Sequence, residues 1–371
     1  MNKNRKIKEI LIYALVVTGL LLIIGKDTKG DFTFGKPEIL GPSINWPNSF
    51  ELLNCISSDG LEMYIQWGTL ERGHWDICVF KRATTDSNWG PLENLGQPVN
   101  TSDHEEGASL SADGLTIYFG SEGQGGYGSS DIFMSTRISK EAPWGIPVNM
   151  GPKINSSKWD GNPWMSMDDL ELYFISHRDD GYGLGDIWMA QRTTPNAPWE
   201  EPVNLGSLIN SKYDETGPCL SSDGLVLLFS EHHNEPFRPG GHGGSDIWMS
   251  MRPTRNDRWE FPVNLGPIVN GPYIDTKPVL SQDSRTLYFS SYNRLENYGH
   301  YDIWQASIEP IVDLNGDGIV NATDMCIIVD NWGTDEPLCD IGPTPFGDGV
   351  VNVQDLIVLS EHLFEEIPPV E

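Results

Sequence analysis

Residues 105–136 read EEGASLSADGLTIYFGSEGQGGYGSSDIFMST, and WGIPVNMG follows at 144–151. A short strand over 105–111 would run into Ala112-Asp113-Gly114, a tight turn in which glycine is free to take positive φ. Residues 115–120, LTIYFG, are rich in β-branched and aromatic side chains and form the next strand. A loop with Gly123, Gly125, Gly126 and Gly128 precedes a third strand at 131–136, and 147–151 supply a fourth. The pattern recurs along the chain. The Ser that opens the turn is Ser57, Ser111, Ser166, Ser221 and Ser281, and the Asp of the later D-I pair is Asp76, Asp131, Asp186, Asp246 and Asp302. Four short strands in a period of about 55 residues are the signature of a β-propeller.

The ends of the repeat array differ from its middle. Residues 34–41, FGKPEILG, match the W-x-x-P-V-N-L-G strand but precede the first inner strand, and the last copy stops near Ile308. The N-terminal segment therefore supplies the outer strand of the last blade, which pairs the two ends and removes free sheet edges. The expectation is a mainly β chain, a five-bladed propeller over 33–309.

The repeated L-S-x-D-G-x-x-L-Y-F with a later D-I-W resembles the WD40-like repeat of TolB-type β-propellers of exported bacterial proteins. The resemblance spans all five copies, with Asp169 and Ser284 standing where the turn glycine is expected in copies three and five, and with Ile56 and Cys78 departing in copy one. It implies a fold and a recognition scaffold more than an activity.

A second pattern appears when the copies are aligned on Ser57 and its equivalents. Six residues earlier stands an acid in every copy: Glu51, Glu105, Asp160, Glu215 and Asp275. Each opens the innermost strand, so the five would ring one mouth of the central channel. Crowded carboxylates raise one another's pKa, which suits a cation, a polyhydroxylated ligand or an acid/base pair. Trp46, Trp159, Trp164 and Tyr213 are close in sequence and could stack on sugar rings. The plainer reading is that each acid bonds nearby backbone N–H groups and maintains the repeat. The turn and D-I acids read as structural. Copy four carries a longer loop, EHHNEPFRPGGHGG at 231–244, with His232, His233, His242, Glu231 and Glu235 at spacings that match no metal pattern.

The C-terminal segment is of another kind. Residues 313–324, DLNGDGIVNATD, place Asp313, Asn315, Asp317, Ile319 (by its carbonyl), Asn321 and Asp324 at the offsets of a calcium loop, with Gly318 at the turn. A degenerate second loop offers Asp348, Val350, Asn352 and Asp355. Thr344 stands where its first ligand is expected, and Asp340 serves instead if 341–347 bulge out. Each loop is followed by an apolar stretch suited to a helix. The pair resembles a type I dockerin over residues 311–365, a small all-α calcium-binding module. That resemblance implies Ca²⁺ as cofactor and a cohesin-like partner, with Ala322-Thr323 and Val353-Gln354 facing it. A calcium-stabilised cap that binds nothing is the alternative.

Net charge is −29, from 53 acids against 24 bases. The first 30 residues hold six bases and two acids, so the remainder carries −33. Such a surface repels phosphate backbones, which argues against nucleic acid as a partner. Residues 10–24 are an apolar run behind a basic start. They read as a signal-peptide core or, uncleaved, as a membrane anchor within an N-terminal segment 1–30, and either exports the remainder. Five cysteines suit an exported protein that does not depend on disulfides; Cys326 with Cys339 and Cys55 with Cys78 are possible pairs, leaving Cys219 buried. The functional expectation is an exported binding or scaffold protein for a glycan or protein ligand. Alternatives are a glycoside hydrolase in polysaccharide degradation, using channel-mouth carboxylates, and an envelope assembly factor. No P-loop, nucleophile elbow, Rossmann fingerprint or H-E-x-x-H is present.

Overall fold

The computed structural model describes residues 32–231, 238–342 and 346–367. Residues 1–30, and with them the signal or anchor reading, lie outside the described residues, as do His232, His233, Glu235 and Thr344. Among the described residues no helix is long and apolar enough to cross a membrane. The chain divides into two compact units, Phe34–Glu309 and a second made of Met1–Thr33 with Pro310–Glu371.

The larger unit is built from antiparallel four-stranded meanders. In the quoted copy the strands are Glu105–Leu110, Thr116–Ser121, Asp131–Thr136 and Val148–Asn149, hydrogen-bonded in that order. The inner strands of the other copies are Ser49–Ile56, Asp160–Met165, Glu215–Leu220 and Ile274–Leu280. Consecutive inner strands touch, and the last touches the first. This is the arrangement of a β-propeller. The outer strand of the final meander is Glu38–Ile39, paired antiparallel with Tyr301–Pro310 through Glu38 opposite Gln305 and Ile39 opposite Trp304. The fourth strands are only two residues long, because a proline without an N–H shortly precedes each and, in the first four meanders, a glycine with positive φ, such as Gly151 at 83°, soon follows.

The repeated residues hold this frame. Asn155 Oδ1 accepts the N–H of Ile132 at 2.8 Å, and its Nδ2 donates to the Ile132 carbonyl at 3.0 Å. Asn100, Asn210 and Asn270 do the same to Ile77, Ile187 and Ile247. In the last meander Asn45, from the other end of the domain, clasps Ile303 at 2.8 and 3.1 Å. Asp131 receives the N–H groups of Tyr127 and Gly128 and the amide of Asn149, so the D-I acid anchors the glycine-rich loop. Ser111 Oγ donates to Asp113 at 2.7 Å, while Asp113 accepts from Leu115 N–H at 2.9 Å, which ties off the hairpin turn. Asp169 (φ 59°) and Ser284 (φ 57°) keep the left-handed conformation of Gly114 without its freedom.

Apolar clusters fill the space between neighbouring meanders. Cys55, Tyr64 and Ile77 join one such cluster with Phe119 and Trp144, whereas Ile65, Cys78 and Phe80 join another on the opposite face of the same sheet. Cys55 and Cys78 thus point apart and remain thiols, as do buried Cys219 and exposed Cys326. Neither of the two possible pairs is a disulfide.

In the smaller unit, helix α1 (Ala322–Asp330) and helix α2 (Val353–Glu361) each begin at an asparagine cap with a capping box, Asn321 with Asp324 and Asn352 with Asp355. Val320, Ile328, Ile341, Val351 and Leu359 form its core. The unit also holds a 3₁₀ turn at Pro337–Cys339 and a bridge from Ile319 to Glu366.

Candidate functional site

The five aligned acids are all completely buried. Each opens or nearly opens an inner strand, and four of them meet the same set of donors. Glu105 accepts from the N–H of Thr101 at 2.8 Å, Asp160 from Ser156 at 2.6 Å, Glu215 from Ser211 at 3.1 Å and Asp275 from Gly271 at 2.7 Å, always four residues back. Arginines close three of the sites: Arg178 on Asp160 at 2.9 Å, Arg238 on Glu215 at 2.8 Å and Arg294 on Asp275 at 3.3 Å. The backbone N–H of each of these acids also bonds the preceding meander, Glu105 to Trp75, Asp160 to Ser130, Glu215 to Gly185 and Asp275 to Ser245. The acids are therefore joints between neighbouring sheets.

Glu51 is the exception. Four residues before it stands Pro47, which has no N–H to give. Neither carboxylate oxygen makes a well-formed hydrogen bond, although the polar groups of Ser49, Trp46 and Trp67 lie near enough to oppose the rise in its carboxyl value. Burial, reinforced by Asp302, pushes its carboxyl up to about 8. Burial also raises Glu215 to about 7, against the pull of Ser211 and Arg238, and it raises Glu105 and Asp275.

A cavity of about 700 Å³ occupies the mouth of the channel. Of the five acids only Glu215 borders it. Its walls come mainly from the residues on either side of the acids, because side chains alternate along a strand. The residues one before are Phe50, His104, Trp159, Asp214 and Ile274; those one after include Leu52, Glu106, Thr216 and Thr276. Gln66, Trp75, Glu122, His177, Tyr292 and Tyr301 come from the adjoining strands. So the acids repeat and the lining does not.

The lining has two chemistries. Aromatic rings dominate the side built by the first and last repeats: Phe50 stands edge-on to Trp75 at 5.1 Å, His300 stacks between Phe50 at 4.5 Å and Tyr292 at 6.2 Å, and Tyr301 leans on Tyr292 at 5.0 Å. Trp159, with His177 at 5.0 Å, comes from the third repeat across the ring. The second and fourth repeats contribute carboxylates: Glu106 and Glu122 from one, Asp214 and Glu231 from the other. Glu231 Oε2 accepts the Asp246 N–H at 3.1 Å, while Oε1 lacks a hydrogen bond and has Arg238 Nε at 3.8 Å.

Lys277 is the single Lys or Arg among the described lining residues. It donates to Asn162 Oδ1, and both residues sit on inner-strand bulges in the left-handed region, φ 54° and 47°, where Gly107 and Gly217 stand in their own strands. Asn162 and Lys277 also line a small adjoining cavity with Asn54 and Trp164. Enclosure lowers the Lys277 ammonium to about 8. Enclosure also raises Glu106 to about 7, against the attraction of Lys277 and with repulsion from Glu122.

Of the aromatics singled out by sequence, Trp159 borders the mouth and Trp164 the adjoining cavity; Trp46 stacks on Phe80 in the core at 5.9 Å, and Tyr213 lies under the Lys212 ammonium at 5.3 Å. Phe50, Trp75, Tyr292, Tyr301, Glu106 and Lys277 were not anticipated. The available signal was the column beside the acids, which varies from copy to copy while the acids do not.

In the smaller unit, Asp313 accepts the N–H groups of Asp317 at 3.2 Å and Gly318 at 2.8 Å. Asp324 accepts those of Leu314 and Asn321, at 2.9 and 2.8 Å. The second loop repeats this: Asp340 accepts from Asp348 at 2.8 Å and Gly349 at 2.6 Å, and Asp355 from Gly342 at 2.9 Å and Asn352 at 2.6 Å. Asp340 thus stands where Asp313 stands, nine rather than five residues ahead of the turn glycine. Asn321 and Asn352 both bond the carbonyl two residues back, Ile319 and Val350. Among the described residues no three His, Cys, Asp or Glu converge on one point as around a metal; the carboxylates are turned onto their own loops. The donors are nonetheless all hard oxygens, the set calcium takes.

No protein-family model matches the chain, and no curated relative does. Solved structures that resemble it include TolB from Acinetobacter baumannii, at 13% identity over 68% of this chain and 53% of that one, with a TM-score of 0.40. The α-L-arabinofuranosidase of Podospora anserina in complex with cellotriose is 13% identical over 76% of this chain and 97% of its own, with a TM-score of 0.45. The α-L-arabinofuranosidase of Lactobacillus brevis is 10% identical over 73% and 92%, with a TM-score of 0.45. This chain therefore spans about half the length of the TolB structure and nearly all of the two hydrolases.

Proposed function

We propose that this chain is an exported, five-bladed, TolB-type β-propeller that binds glycans at the mouth of its channel and carries a calcium-dependent, dockerin-like docking tail. One observation carries the binding reading: the repeat places unequal, aromatic and polar side chains around a single cavity of about 700 Å³, within the range of ligand pockets. Sugar rings offer apolar faces to aromatic side chains and hydroxyls to carboxylates and amides. A glycan array probed with the full chain, run beside hydrolysis assays on the same sugars, is expected to give binding without turnover, and Trp159→Ala should weaken that binding at least about tenfold. Failure to bind any glycan would sink this reading.

A second reading, glycoside hydrolysis, is favoured by Glu106, a carboxyl raised to about 7 in a cavity that also holds Glu122 and Asp214. A carboxyl raised far enough to hold a proton near neutral pH is one requirement for acid-assisted glycoside cleavage. Turnover lost in Glu106→Gln but kept in Asp160→Asn would place the chemistry in the lining and not in the buried acids.

For the tail, Asp313, Asn315, Asp317, Asn321 and Asp324 with the Ile319 carbonyl would hold one Ca²⁺. Asp340, Asp348, Asn352 and Asp355 with the Val350 carbonyl would hold a second. Calcium would draw each loop's carboxylates inward and fix the helix that follows; the docked partner would be a cohesin-like protein. A ligand at a hundredfold excess over its Kd stabilises a fold by about 2.7 kcal/mol. Chelation with EDTA is therefore expected to lower the unfolding temperature of the tail and restore on Ca²⁺ addition; an unchanged melt refutes the calcium assignment.

A further inference from the structure

We propose that the channel-mouth site is selective for sugars that carry free amino groups, so that its ligand is a cationic oligosaccharide; this rests on the glycan reading above. The argument begins with how the two chemistries of the lining are distributed. Phe50, Trp75, Tyr292 and Tyr301 form an aromatic side, and Trp159 faces the cavity from across the ring. These are the surfaces on which a sugar ring stacks. The two intervening repeats supply Glu106, Glu122, Asp214 and Glu231, so acceptors flank a stacked ring on both sides.

Neutral donors such as Gln66, Trp75 and Thr276 can serve hydroxyls, but nothing in the described lining offsets the charge of its several carboxyl groups beyond one ammonium. Among the described lining residues the single Lys or Arg is Lys277, already committed to Asn162. Glu231 Oε1 is buried at the cavity wall with no hydrogen bond made to it, its nearest cation, Arg238 Nε, standing off at 3.8 Å. Glu106 is raised to about 7 although Lys277 opposes the rise, which means that its negative charge is under-compensated where it stands. An ammonium group on the ligand supplies what is missing: three N–H donors and a positive charge, attracted also by the faces of the surrounding rings. The chain's net charge of −29 draws cations towards it from a distance.

The test is calorimetric titration of the full chain with length-matched oligosaccharides of glucosamine, N-acetylglucosamine and glucose. The expected result is binding of the glucosamine series at least about tenfold tighter than of the other two, a difference of about 1.4 kcal/mol. Glu106→Gln and, separately, the exposed Glu122→Gln should each shrink that preference severalfold and leave weak binding of the neutral series in place. Two variants are used because Glu106 is enclosed and Glu122 is not, and melting curves report whether either disturbs the fold. Equal affinity for the acetylated or glucose series overturns the amino-sugar inference and leaves glycan binding standing. A preference untouched by both substitutions overturns its location. Absence of binding to all three overturns it together with the glycan reading.

Discussion

Arg137→Met is expected to destabilise the propeller by about 3–5 kcal/mol, the cost of stripping one partner from a buried ion pair. The Arg137 guanidinium lies between two meanders with its side chain 3% exposed, and it grips Glu62, 6% exposed, at 2.5 and 3.2 Å. It also donates to the carbonyls of Gly114 at 2.9 Å and Lys140 at 2.8 Å and lies 4.4 Å over the Trp144 ring. Methionine keeps much of the apolar stem and loses every donor. Glu62 then remains as a buried charge whose other partner is the Tyr64 hydroxyl at 3.3 Å. Thermal unfolding should fall by roughly 10 °C for a domain of this size. Adding Glu62→Gln in the same chain should recover part of the loss, since the stranded charge is gone. A single variant that melts within about 2 °C of the parent would show that the pair adds little beyond a hydrophobic contact.

That pair was not legible in the sequence, although the frame around it was. The Ser-x-Asp-Gly turns, the D-I strands and the closing segment at Glu38–Ile39 follow from local rules: turn chemistry, strand alternation and the need to remove an edge. Arg137 and Glu62 are 75 residues apart, and their meeting depends on how one sheet packs on the next. The acid column shows the same division. Spacing placed Glu51, Glu105, Asp160, Glu215 and Asp275 at the inner strands but carried no information on which side of the strand faces the channel. Period-two alternation means that an error of one residue exchanges wall for core. The residues that border the cavity are the immediate neighbours, and those vary because nothing in the frame requires them to match.

Proline 47 breaks the equivalence of the five acids, and its consequence is a stability that declines as pH rises. Glu51 has an ordinary carboxyl value near 4.5 when unfolded and about 8 when buried, chiefly because burial penalises the charged form. The folded state therefore holds a proton that the unfolded state has released at every pH between those values. Stability from this group is present in full below about pH 4.5 and is lost progressively up to about pH 8, because the unfolded chain binds fewer protons throughout that window. At about 1.4 kcal/mol per pH unit the loss is roughly 3 kcal/mol at pH 7 and levels off at roughly 4 kcal/mol by pH 8, where the folded group also ionises. Glu51→Gln keeps the shape of the protonated acid and cannot ionise. Its denaturation midpoint is expected to match the parent near pH 4.5 and to exceed it increasingly towards pH 8. Glu105, Glu106, Glu215 and Asp275 are raised as well and slope in the same direction, but they are common to both chains and cancel in the difference. The companion substitution is Pro47→Ala, which offers the missing N–H four residues ahead of the acid. If that donor reaches Glu51 as the N–H of Thr101 reaches Glu105, its carboxyl value falls and the pH slope flattens without any change to the acid itself. Parallel pH–stability curves for the parent and Glu51→Gln would show that Glu51 titrates in the fold as it does in water, and the account of its burial would be wrong.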